Sequence, residues 1–176
     1  MKIAYPIFCC FVFCSIPVLS LTFDLEDRNT YDTDKRLFHI ERSKNKNIVC
    51  YDINQGIKGE PDDKAPLTVY WVNQEERPGQ HDALNYIQQK MAFGYTVINK
   101  HNGVITIELN AIKKRELVIE WDGRKYLCRT EINKLSSVLS KIYVKTKDSN
   151  SLQVEYVDVY GYSPDTGALV SERIYH

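Results

Sequence analysis

Residues 42–54 read RSKNKNIVCYDIN: three cations and two side-chain amides within six residues, then an apolar alternation around a cysteine. Cations and backbone N–H groups converging at a loop are the chemistry of an anion site for a carboxylate, sulfate or phosphate. The competing reading is a hairpin turn, because Asn and Ser tolerate turn conformations and lysines at a loop tip stay solvated. Tyr70-Trp71 offers a stacking surface, of which one ring only can face a given pocket, since neighbours in a strand point to opposite faces. Arg42, Asn45, Asn47, Tyr70 and Trp71 are therefore the candidate ligand-binding residues. His39 and Glu41, two apart in a strand-like run, share a face and suit an acid/base pair. Asp158, between Tyr156 and Tyr160 on one strand face, is the third member of a hydrolase or isomerase site built on them.

Other chemistry finds little support. There is no Gly-X-Ser-X-Gly, no His-Glu-X-X-His and no phosphate-binding glycine loop. No cofactor and no metal site is expected, and no catalytic residue is assigned. His81 belongs to a helix entry and His101 to a turn, and His176 is terminal.

The chain has 176 residues, enough for one domain. It opens MKIAYPIFCCFVFCSIPVLS, with Lys2 followed by an uncharged run broken at Pro17. This is the pattern of a secretory signal peptide cut after Ser20, with an uncleaved membrane anchor as the rival. Removing Lys2 with the leader turns 23 Lys+Arg against 23 Asp+Glu into 22 against 23. Such a balance gives no reason to expect nucleic acid as a partner. No second apolar run approaches a membrane span, so the mature chain is expected to be secreted or extracytoplasmic, with an unknown small molecule or protein as partner. Of five cysteines, Cys9, Cys10 and Cys14 leave with the leader. Cys50 and Cys128 remain, an even pair that in a secreted chain suggests a disulfide, with two buried thiols as the alternative.

The elements that must position these residues are read from periodicity. Residues 21–36 form an exposed acidic arm, and 37–176 a single β-rich domain. Strand-like alternation fills 37–41, 48–53 and 67–72. One amphipathic helix is expected, capped by Asp82, with Leu84, Ile87 and Met91 inward and Gly94 as a left-handed stop. Asn102-Gly103 and Asp122-Gly123 are tight hairpin turns in which both residues take positive φ. Leu117, Ile119 and Trp121 alternate toward a core. Asn133 to Ser140 fits a short helix, and strands return at 141–147, 152–162 and 169–175. About ten short strands and one helix give an antiparallel barrel-like fold or a two-sheet β sandwich.

Four separated segments carry a resemblance: LFHIERSKNKNIVCYDIN, PLTVYW, YIQQKMAFGYTV and VEYVDVYG, with Gly167 and Glu172 behind them. In this order they resemble a secreted, mostly bacterial family catalogued as domain of unknown function 4833, over roughly residues 37–174. The resemblance brings no activity, ligand or catalytic residue. The reading that results is a non-enzymatic β domain binding a small or anionic ligand. The acid/base enzyme is one alternative, and a structural or protein-interaction module without a pocket is the other.

Overall fold

The computed structural model describes residues 33–57 and 59–175. The leader and nearly all of the acidic arm lie outside the described residues. Eleven strands form one curled sheet: β1 (Arg36–Arg42), β2 (Asn45–Ile53), β3 (Leu67–Val72), β4 (His81–Ala83), β5 (Tyr95–His101), β6 (Val104–Leu109), β7 (Ile112–Trp121), β8 (Tyr126–Ile132), β9 (Leu135–Lys147), β10 (Asn150–Tyr162) and β11 (Leu169–Tyr175). The barrel-like, mainly β architecture is borne out, as a half-barrel.

The curl follows from β9, whose 13 residues serve two neighbours on one side. Leu135 to Val138 pair with β8, and Lys141 to Val144 pair in parallel with β1, while β10 lines the other side from Val138 to Lys147. Two wings therefore leave one strand, β8-β7-β6-β5 and β1-β2-β3-β4. Each wing turns its alternating apolar positions inward. Ile105, Ile107, Leu117, Ile119 and Cys128 from one wing join Phe38, Ile40, Val49 and Tyr51 from the other in a single core. Tyr51 is fully buried, and its hydroxyl donates to the Phe93 carbonyl at 2.7 Å. A buried phenol without an acceptor would cost about 1–3 kcal/mol, so this bond fixes the chain around Phe93 to the core.

That chain departs from the sequence reading. The helix is one turn, α1 (Tyr86–Gln88), running into a π-helical turn, Gln89–Phe93. Its cap is Asn85, not Asp82: Asn85 and Gln88 form a reciprocal capping box. Leu84 and Phe93 are buried, but Ile87 and Met91 are exposed, because the wider turn rotates the inward face away from them. Gly94 has φ −73° and ψ 167°, an extended conformation. A Cβ there would lie 1.9 Å from the Gln89 carbonyl oxygen, so glycine is required for close approach rather than for a left-handed stop.

Other turns refine the pattern. Asn102 and Gly103 both take positive φ, as expected. Between β7 and β8 only Gly123 does, and Asp122 closes a longer loop by accepting from the N–H groups of Arg124 and Lys125. Asn133 and Lys134, at φ 50° and 64°, make a tight turn into β9 where a short helix was expected. Trp121 is half-exposed rather than core.

No disulfide forms. Cys128 faces the central core, whereas Cys50 packs on the opposite side of β2 with Ile48 and Val72. Alternation along β2 sends Val49 and Tyr51 inward and Cys50 outward, so the two thiols lie on different faces. Among the described residues no helix is long and apolar enough to cross a membrane, and no His, Cys, Asp or Glu group is arranged to hold a metal ion.

Candidate functional site

The polar stretch that opens the sequence is both a turn and part of a site. Ser43 and Lys44 are the exposed corner between β1 and β2. The corner is fastened to β9: the Ser43 N–H donates to the Val144 carbonyl at 3.0 Å, and the Thr146 N–H to Ser43 Oγ at 3.1 Å. Lys44 and Lys46 point to solvent, as tip lysines should. Arg42 does not. An irregularity between Ile40 and Arg42 makes Asn45 its register partner, and its guanidinium reaches the inner face, 6.0 Å from the centre of the Phe93 ring.

Phe93 connects this cation to Trp71. The two rings meet edge-to-face with centroids 5.1 Å apart. The indole Nε1–H donates to Gln88 Oε1 at 3.3 Å, and the capping box holds that same oxygen. Arg42 is half-buried, and desolvation pulls its pKa below the ordinary guanidinium value. Among the described residues no carboxylate forms an ion pair with it, whereas Arg36, Arg115, Arg129 and Arg173 each have one. The side-chain oxygen of Asn45 is buried and accepts no hydrogen bond. A desolvated cation, a buried open acceptor and two aromatic rings thus share one end of the inner face. This arrangement suits a small ligand with an anionic group and a donor beside it.

Asn47 and Tyr70 have other roles. Asn47 Oδ1 accepts from the Gln74 N–H at 2.8 Å and pins the connection after β3. Tyr70 points to the outer face, where its hydroxyl donates to Asp52 at 2.7 Å and Arg36 donates to it at 3.1 Å. Burial, then the Asp52 carboxylate, pushes the Tyr70 phenol up to about 12. Arg36, Asp52 and Tyr70 form one linked group, and the Tyr70 ring meets that of His81 at a tilt, with ring centroids 4.5 Å apart. Phe93 and Gln88 were missed by the sequence reading; an aromatic eight residues past the Asn85 cap, off the expected Leu84-Ile87-Met91 face, was the available signal.

His39, Glu41 and Asp158 all lie on the outer face, but in two clusters. His39 Nε2 is 3.2 Å from Glu41 Oε1, and Lys141 Nζ is 3.2 Å from Glu41 Oε2. Burial pushes the Glu41 carboxyl up, and His39 and Lys141 more than reverse this, leaving it below the usual range. Asp158 is gripped by Arg173 through two bonds of 2.7 and 2.8 Å, and the Tyr160 hydroxyl donates to it at 3.3 Å. The clusters adjoin where Lys141 lies 5.2 Å from the Tyr160 ring centre. The proposed three-residue catalytic set is not brought together.

A family model described as Domain of unknown function (DUF4833) matches residues 38–173. A curated relative, the FAD-dependent monooxygenase esdpE of Penicillium shearii, is 30% identical over 76 residues, which is 42% of this chain and 16% of that protein. The chain thus spans about a sixth of the length of the curated relative it matches. No solved structure matches.

Proposed function

The chain belongs to the DUF4833 family, whose description assigns no function, and on that premise we propose that it is a non-enzymatic module binding a small anionic ligand at the Arg42 end of the half-barrel. The observation that carries this reading is the half-buried Arg42 guanidinium, which pairs with no carboxylate among the described residues. A fold retains such a charge at a cost, and a bound carboxylate, sulfate or phosphate would repay it with a charge-assisted pair. Asn45 supplies the open acceptor for a donor on the same ligand, and Trp71 with Phe93 supplies its apolar wall. The leader-like residues 1–20 support a place outside the cytoplasm. The small share of the monooxygenase that is matched does not bring that protein's activity to this chain.

The test is a titration with acetate, sulfate, phosphate and small hydroxy acids, followed on the indole N–H resonance of Trp71. The chain has two tryptophans, so a W121F variant assigns the signals. Saturable movement of the Trp71 resonance, lost in R42Q, supports the reading. A Trp71 signal indifferent to every anion at millimolar concentration would remove it.

A further inference from the structure

The opposite end of the inner face carries a second feature, which the anion site does not use. Strands β7 and β8 end with Trp121 and Tyr126 as register partners. Tyr126 is buried in the core, and its ring meets Trp121 edge-on, with centroids 5.2 Å apart. Trp121 remains 53% exposed. It continues the alternation of Leu117 and Ile119, but at the rim, where the core ends. The phenol beneath therefore holds the indole from one side, and about half of the Trp121 surface stays open to solvent.

Two open grooves adjoin this ring, of about 570 Å³ and about 660 Å³, and both are walled by Gln55, Trp121 and Tyr126. The first also holds Glu60 and Asn102; the second holds Lys35 and Arg124. Among the described residues no hydrogen bond or ion pair engages these four side chains. Glu60 lines the first groove with Trp121 and Tyr126, and its charge adds to the upward push that burial gives the Tyr126 phenol. The rim thus combines one exposed aromatic side chain with a carboxylate and an amide in the first groove, and with the cations Lys35 and Arg124 beside the carboxylates Asp34 and Asp122 in the second.

We propose that this rim binds a linear glycan, with one pyranose ring stacked on Trp121 and its neighbours in the two grooves. The C–H face of a pyranose is weakly electropositive and fits the negative face of an indole. Its hydroxyls both donate and accept, so they need the mixed set that Glu60, Asn102, Lys35 and Arg124 provide. Open grooves to either side of one platform suit a chain passing across it rather than a small molecule enclosed in a pocket. A proline-rich peptide is the competing occupant, but it docks in grooves lined by several aromatic residues, and here Tyr126 is too buried to form a second wall.

The experiment presents neutral, amino and acidic hexasaccharides to the full chain and follows both indole resonances. The expected result is saturable movement of the Trp121 signal with at least one hexasaccharide while Trp71 stays still. In W121A the affinity should fall at least about tenfold, as for a central aromatic contact. Because W121A removes a half-exposed side chain, an E60Q/N102A variant gives an independent reading and should also weaken binding. No response at millimolar concentration across the panel would overturn the proposal. So would a response to a proline-rich peptide alone, or affinity unchanged in W121A. Movement of Trp71 with small anions bears on the other end of the molecule and leaves this outcome separate.

Discussion

The Arg42 guanidinium lies 6.0 Å from the centre of the Phe93 ring, and among the described residues no carboxylate pairs with it. A cation over an aromatic face gains about 0.5–2 kcal/mol, less than the several kcal/mol that desolvating an ion costs. The half-burial of Arg42 reduces that cost without removing it. Arg42→Leu keeps the apolar stem against Phe93 and removes the charge. The expected outcome in urea unfolding is stability unchanged or raised by about 1 kcal/mol. A loss of more than about 1 kcal/mol would show that the guanidinium supports the fold rather than a ligand.

Gly94 gives a prediction of opposite sign. Its φ of −73° would suit any residue, so conformational strain is not the issue. The difficulty is the Gln89 carbonyl oxygen 1.9 Å from a built Cβ, with Asn110 Nδ2 at 2.8 Å. Backbone must move, and the Asn110 bonds to the Gln89 and Lys90 carbonyls must break. Gly94→Ala is expected to cost about 2–3 kcal/mol. Gly56→Ala is the control: its nearest neighbour would be 3.7 Å away, so a change within about 0.5 kcal/mol is expected in the same denaturant series.

The same turn shows how far the sequence could be read. Strands and their inward faces were legible wherever period two ran unbroken, as in β6, where Ile105, Ile107 and Leu109 are all buried. The residues 84–94 misled because Leu84, Ile87 and Met91 satisfy a 3.6-residue period, while a π turn repeats more slowly and depends on Tyr51 of β2 and on Asn110 in the β6–β7 turn. Asn133-Lys134 hid a tight turn because the second position lacks the expected glycine. Of the candidate site, Arg42, Asn45 and Trp71 gather on one face. The separation of Tyr70 from Trp71 followed from alternation alone, but which of the two faced inward depended on pairing with β2.

The Asp158–Arg173 pair should appear in the acid limb of stability. The Arg173 hydrogen bonds hold the Asp158 carboxyl below the usual carboxylate range, against the opposing effect of burial. A depressed folded-state pKa contributes stability that is fully present above the unfolded value of about 4 and is lost as pH falls through the folded one. The denaturation midpoints of the natural chain and D158N should therefore differ most near pH 6 and draw together as the pH falls below the usual carboxylate range. A constant gap across that range would show that the ion pair does not act through this carboxylate. Arg173 is 45% exposed, so added salt should narrow the gap at pH 6 as well.

Cys50 and Cys128 are both buried, on opposite sides of the strands that carry them. Burial pushes the Cys128 thiol far up, so its reactive thiolate is scarce at neutral pH. Alkylation of the folded protein should spare both positions. Unfolding in denaturant without any reductant should expose both at once, which a disulfide would prevent. Their environments predict different sensitivities to change. Cys128 fills the central core, so Cys128→Ser buries a hydroxyl among Ile119, Ile132 and their neighbours and should cost about 1–3 kcal/mol. Cys128→Ala removes one sulfur without adding a polar group and should cost less. A serine variant as stable as the alanine one would mean that the hydroxyl finds a partner, and that this part of the core is less closed than the packing of Ile119 and Ile132 indicates.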